Sequence, residues 1–104
     1  MRILFDQGTP VPLKLHLPDH QVQTAFELGW LRLTNGDLLV SAEGSFDILI
    51  TTDKNLRHQQ SLASRKLAVL ALPTTSWPRL RDRVGDIVEA VASLKPGSYV
   101  ELPH

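Results

Sequence analysis

Apolar residues gather into short continuous runs at three places: Ile3-Leu4-Phe5, Ile48-Leu49-Ile50 and Leu67 through Leu72. Runs of this length, with no polar alternation, are how strands buried on both faces of a parallel sheet read. They predict strands over RILFD (2–6), FDILITT (46–52) and LAVLAL (67–72), with a briefer strand at QVQTA (21–25) and a terminal edge strand at YVEL (99–102). Between them the period changes. Leu80, Val84, Ile87, Val88, Val91 and Leu94 recur at helical spacing, predicting one long final helix that starts at Ser76-Trp77-Pro78 and closes at Lys95-Pro96-Gly97-Ser98. Leu38, Leu39 and Ala42 share a side of a short helix capped by Asn35 and ended by Gly44, and KNLRHQQSLAS (54–64) is helical with Leu56 and Leu62 inward. Val11, Leu13, Leu15 and Leu17 fit either period. Thr9 as N-cap and Pro10 at the first helical position favour helix there. FELGW (26–30) makes one helical turn ended by Gly29. Strands alternating with helices give the α/β class: a three-layer α/β/α sandwich with a mostly parallel central sheet.

Composition narrows the chemistry. A chain of 104 residues is expected to form one domain, 1–104, around one core. Lys+Arg and Asp+Glu are both 11, so no global field attracts a polyanion, and a nucleic acid would be held by a local patch or through metal ions. There are no cysteines, which removes disulfides, thiolate zinc sites and cysteine nucleophiles. The four histidines, His16, His20, His58 and His104, are scattered along the chain, and a histidine-based metal site is not expected. The opening MRILFDQG is too short for the apolar core of a signal peptide, and no run approaches the ~20 apolar residues of a membrane span. A cytoplasmic protein with no membrane partner is expected.

Ligands of open parallel sheets bind beyond the carboxyl ends of the strands. Acids fall there: Asp6 ends the first strand, Glu27 follows the second and Asp53 ends the third. Carboxylates held together repel unless a divalent cation neutralises them, and hard oxygen ligands suit Mg²⁺ or Mn²⁺, which can acidify a bound water and clamp a phosphodiester. Each acid has a plainer role to set beside this one. Asp53 can cap the next helix, and Glu27 can be a solvated surface residue. Asp6 lacks such a role if Thr9 caps its neighbouring helix. FDQGT resembles the aspartate-nucleophile motif of haloacid-dehalogenase-type phosphatases, but Gly8 stands where the second Asp belongs, so the acid/base is missing. No GxGxxG, GxxxxGK[ST] or GxSxG occurs.

MRILFDQGTP, then GW…NGDLL…AEG, then FDILITTDKNL together resemble the small, single-domain branch of PIN-like proteins. The resemblance runs through about Leu72 and, more loosely, the last helix. It implies a metal-dependent ribonuclease with acids around Mg²⁺ or Mn²⁺, often the toxin of a VapC-type toxin–antitoxin pair. It also implies a small helix-turn-helix antitoxin-like partner and, by analogy, a homodimer. Residue by residue, Asp6 matches the first-strand acid and Asp53 the acid of T-x-D, with Thr51 or Thr52 as the accompanying hydroxyl. The middle helix opens on Asn35 where the pattern has Asp, so one carboxylate is lost, and Glu27 or Asp37 would compensate. In this reading Asp6, Asp53 and Glu27 are catalytic, Asp6, Asp53 and Asp37 hold metal, and Asn35 reaches a metal-bound water.

Lys54, Asn55, Arg57, His58, Gln59 and Gln60 form a basic, polar helix face beside this site. It suits an RNA phosphate backbone, with Lys54, Arg57 and Thr52 as substrate contacts, or simply faces solvent. TTSWPRLRDR (74–83) adds hydroxyls and three arginines on the same edge, with Trp77 either stacking on a base or packing at a helix start. Asn35 and the neutral net charge also motivate an alternative, a degenerate PIN-like module that binds RNA or a protein without cleaving.

Overall fold

The computed structural model describes residues 1–53 and 66–103. The helix expected over 54–64, with Lys54 and Arg57, lies outside the described residues. Among them, β1 (Arg2–Phe5), β2 (Gln21–Thr24), β3 (Ile48–Thr51), β4 (Ala68–Ala71) and β5 (Tyr99–Glu101) build one sheet in the order β2-β1-β3-β4-β5. Every pairing is parallel, which makes the expected mostly parallel sheet entirely so. The register sets Phe5 beside Thr24 on one side and Ile50 on the other. Strand order reverses at β1: the chain leaves it for β2 and returns to β3 on the opposite flank. Such a reversal opens a crevice beyond the carboxyl ends of the two diverging strands, here β1 and β3.

Alternation along each strand sorts the core into two clusters. Ile3, Phe5, Ile48, Ile50, Ala68 and Leu70 pack with Leu13, Leu17, Leu80, Ile87 and Val91 on one face. Leu4, Leu49 and Val69 pack with Leu38, Leu39, Ala42 and Phe46 on the other. Burying each such side chain is worth roughly 1.5–3 kcal/mol, which is why the central strands carry no polar residue before their ends.

The segment after β1 is a 3-10 helix over Val11–His16, and its N-cap is Pro10 rather than Thr9. Pro12 has no N–H to donate, and the Leu13 N–H turns back to the Pro10 carbonyl three residues earlier at 3.2 Å. Leu13 is buried while Leu15 is 82% exposed, so the alternating leucines do not form one apolar face.

FELGW does form a single helical turn, closed at both ends. The Thr24 N–H donates to Glu27 Oε1 and the Glu27 N–H donates to Thr24 Oγ1, each at 3.0 Å, a reciprocal capping box. At the other end Gly29 adopts φ +74°, with Trp30 N–H to the Ala25 carbonyl at 2.8 Å and Gly29 N–H to the Phe26 carbonyl at 3.1 Å. The next helix, α1 (Asn35–Glu43), is capped by Thr34, whose hydroxyl accepts from the Asp37 N–H at 3.2 Å. Asn35 is therefore the first helical residue and not the cap.

The expected long final helix is two: α2 (Trp77–Arg81) and α3 (Val84–Ser93). At the break the Arg83 N–H bonds three residues back, to Leu80, and the Arg83 guanidinium is held by the Pro103 carbonyl and by Asp86. These contacts stop the helix where periodicity alone would carry it through. Among the described residues no helix is long and apolar enough to cross a membrane.

Candidate functional site

The crevice at the reversal is built around Asp6. Its N–H continues the ladder to the Ile50 carbonyl at 3.1 Å, and its carboxylate turns into the gap between the ends of β1 and β3, 7% exposed. Oδ1 accepts from the Gly8 N–H at 3.1 Å and the Thr9 hydroxyl at 2.7 Å. Oδ2 accepts from the Thr51 hydroxyl at 2.5 Å and the Thr52 N–H at 3.3 Å. Four donors thus meet the roughly four lone-pair sites of one carboxylate. The expectation that Asp6 has no structural work is corrected: it ties the β1 loop to the end of β3.

Thr9 serves this centre instead of a helix cap. Its single hydroxyl proton faces both Asp6 Oδ1 and the Ile50 carbonyl, the latter at 2.9 Å. Of the two hydroxyls expected beside Asp53, Thr51 is the one that reaches Asp6. It is buried, and its oxygen also accepts the Asp53 N–H at 3.0 Å, so Asp53 is coupled to Asp6 through one side chain. Thr52 contributes its N–H, and its own hydroxyl lies over Gly8, where a Cβ would fall 2.2 Å from Thr52 Oγ1. Only glycine admits that approach. The same phantom Cβ lies 3.6 Å from Thr75 Cγ2, which brings the loop after β4 to this centre.

Asp6, Thr9 and Gln7 form one wall of an open cavity of about 550 Å³. Lys14 and Glu27 face it from the 3-10 helix and the capped turn, paired at 3.6 Å, and Val11, Phe26 and Leu31 give it an apolar side. The hydrogen bond from the Thr24 N–H holds the Glu27 carboxyl below its ordinary value, opposed by partial desolvation and helped by the Lys14 charge. Glu27 is therefore neither a free surface acid nor a bare ligand: it caps a turn and pairs with a lysine.

The expected acids are only partly gathered. Asp6 and Glu27 share the cavity, and Asp53 meets Asp6 through Thr51 without lining that cavity. Asp37 is exposed in the first turn of α1 and lines none of it. The Asn35 side chain lies outside what is described. Among the described residues no group of three or more His, Asp or Glu converges as a metal cage. Mg²⁺, however, is commonly held by one or two carboxylates, with water and substrate phosphate completing its shell. Asp6, whose carboxylate already accepts four protein hydrogen bonds, and Asp53 at the adjoining strand end offer at most two carboxylates, a donor set for a water-rich cation of that kind and not for a closed one.

Sequence reasoning missed Lys14, Gln7 and Phe26. Phe26 is 75% exposed at the cavity, the placement considered for Trp77. Trp77 instead packs half-buried on the first core cluster, its ring 5.6 Å from that of His16. Trp30 packs on the second cluster, edge-on to Phe46 at 6.2 Å. The T-x-x-E spacing of Thr24 and Glu27 was the one available signal, since it is the signature of a capping box. Comparison with protein-family models, curated proteins and solved structures finds no match to this chain.

Proposed function

We propose that this chain is a single PIN-like domain with a three-layer α/β/α arrangement that acts as a ribonuclease at the carboxyl ends of β1 and β3. The observation that carries the reading is the joining of Asp6 and Asp53 through Thr51 at the point where strand order reverses. Asp6 and Asp53 would hold Mg²⁺ or Mn²⁺, an ion that supplies an acidified water and neutralises phosphate charge. The chain's own residues do the positioning. Thr51 and Thr9 fix the Asp6 carboxylate in one orientation, the Lys14 ammonium offers charge to a phosphate, and Phe26 presents a face on which an unpaired base can stack. In this reading the substrate is single-stranded RNA, and a small antitoxin-like protein is the controlling partner.

Purified protein is expected to cleave single-stranded RNA with Mn²⁺ or Mg²⁺ and to lose cleavage on EDTA treatment and in Asp53→Asn. Cleavage that persists through both sinks the mechanism. Because Asp6 also ties two strands together, Asp6→Asn is read only alongside a denaturation curve.

A second reading, binding without cleavage, is favoured by the four protein donors already on Asp6 and by Asn35 in place of an acid. A cation would have to displace one of those hydrogen bonds. Calorimetric titration with Mn²⁺ separates the two: heat that vanishes in Asp53→Asn supports the nuclease, and no heat at millimolar metal supports the binding module.

A further inference from the structure

A second cavity, of about 240 Å³, lies beyond the end of β4, lined by Pro73, Thr74, Arg79, Leu80 and Arg83. Nothing in the nuclease reading uses it. Arg79 and Arg83 stand four residues apart across the α2–α3 break, and Thr74 comes from the strand-end loop facing them. Arg83 is held at Nε by Asp86 and at Nη1 by the Pro103 carbonyl, which fixes its position and spends part of its charge. Arg79 is exposed and makes no hydrogen bond or ion pair with any described residue. The Thr74 hydroxyl accepts from the Ser76 N–H at 3.0 Å and keeps its own proton to donate. One anchored guanidinium, one free guanidinium and one hydroxyl donor around a small pocket are the parts of a phosphate site.

The pocket belongs to the same sheet edge as Asp6. β4 adjoins β3, and Thr75, next to Thr74, reaches the Gly8–Thr52 contact beside the Asp6 carboxylate. We propose that this pocket binds a backbone phosphate of single-stranded RNA whose neighbouring nucleotides lie in the Asp6 crevice, with Arg79 as its principal contact. The proposal rests on the reading of the crevice as an RNA site but not on cleavage.

The test is fluorescence anisotropy with a labelled six-nucleotide single-stranded RNA, together with ³¹P NMR of inorganic phosphate. Arg79→Gln should weaken RNA binding roughly tenfold and lower the salt slope by about one. Arg79→Lys should recover part of the loss, and Arg81→Gln, two residues along α2 and not on the pocket, should bind like the parent. Arg79 is exposed, so both glutamine variants should give the parent denaturation curve. Equal losses in Arg79→Gln and Arg81→Gln would mean diffuse charge attraction and overturn the assignment, as would a parent protein that binds neither probe. RNA cleaved normally by Arg79→Gln with unchanged affinity overturns the pocket and leaves the nuclease reading standing. Arg79-dependent binding without cleavage keeps the pocket and removes the nuclease.

Discussion

Thr51 donates its hydroxyl to the Asp6 carboxylate at 2.5 Å, joining the ends of β1 and β3 across 45 residues of chain. The same oxygen takes the Asp53 backbone N–H, so one buried side chain holds both the Asp6 carboxylate and the main chain at Asp53. Thr51→Val keeps the shape and removes both bonds. With a buried carboxylate oxygen and a backbone N–H left short of partners, a loss of about 2–4 kcal/mol is expected in urea denaturation. Thr51→Ser, which keeps the hydroxyl, should lose less than half as much. A valine variant as stable as the parent would show that Asp6 is held by its other three donors alone.

Gly8 and Thr52 test the packing of the same loop. Alanine at Gly8 sets a Cβ 2.2 Å from Thr52 Oγ1, a distance no real contact reaches, so the loop or the threonine must move. Gly8→Ala should destabilise by about 1–3 kcal/mol, the range of an overpacked site. The double variant Gly8→Ala/Thr52→Ala removes the colliding oxygen and should regain most of that loss. A double-mutant cycle with coupling near zero would place the strain elsewhere in the loop.

What the sequence makes legible is set by how local its causes are. β1, β3 and β4 announce themselves because burial on both faces demands apolar residues at every position, and Asp6 stands out because it ends such a run. Thr9 misleads for the opposite reason. Followed by Pro10 it has the local signature of a helix start, but its hydroxyl is claimed by the Ile50 carbonyl, 41 residues away. Thr34 and Asn35 are both good caps, and only backbone geometry chooses between them. The break before α3 depends on Pro103, on the far side of the helix in sequence. The cavity escapes prediction because its lining comes from three separate segments, and nothing in the local pattern marks Phe26 as the exposed aromatic among them.

Glu27 should titrate below its ordinary value of 4.5. The largest cause is the Thr24 N–H on its carboxylate; desolvation opposes it, and Lys14 adds a smaller pull in the same direction. A folded value lower than the unfolded one means that this contribution to stability is complete above about 4.5 and fades as pH falls through the folded value. Carboxyl-carbon NMR titration of Glu27 checks the direction. Lys14→Met should return the titration only part of the way upward, because the Thr24 bond remains. A full return to 4.5 in that variant would make the lysine, rather than the capping box, the main cause.

Gly29 and Gly44 separate conformation from space. Both have room, since a Cβ at either meets nothing within 4 Å. They differ in backbone: Gly29 has φ +74°, whereas Gly44 has φ −82° and ψ −12°, ordinary helical values. Gly29→Ala therefore forces an L side chain into the left-handed region and should cost about 1–2 kcal/mol, with Gly29→Asn cheaper because asparagine tolerates that region. Gly44→Ala asks nothing of the folded backbone and restricts the unfolded chain, so it should stabilise by about 0.4–1 kcal/mol. Thermal denaturation of the two alanine variants side by side decides it. Opposite signs support the capped turn that presents Phe26 and Glu27 to the cavity, and a Gly29→Ala protein as stable as Gly44→Ala would mean that the turn does not close as described.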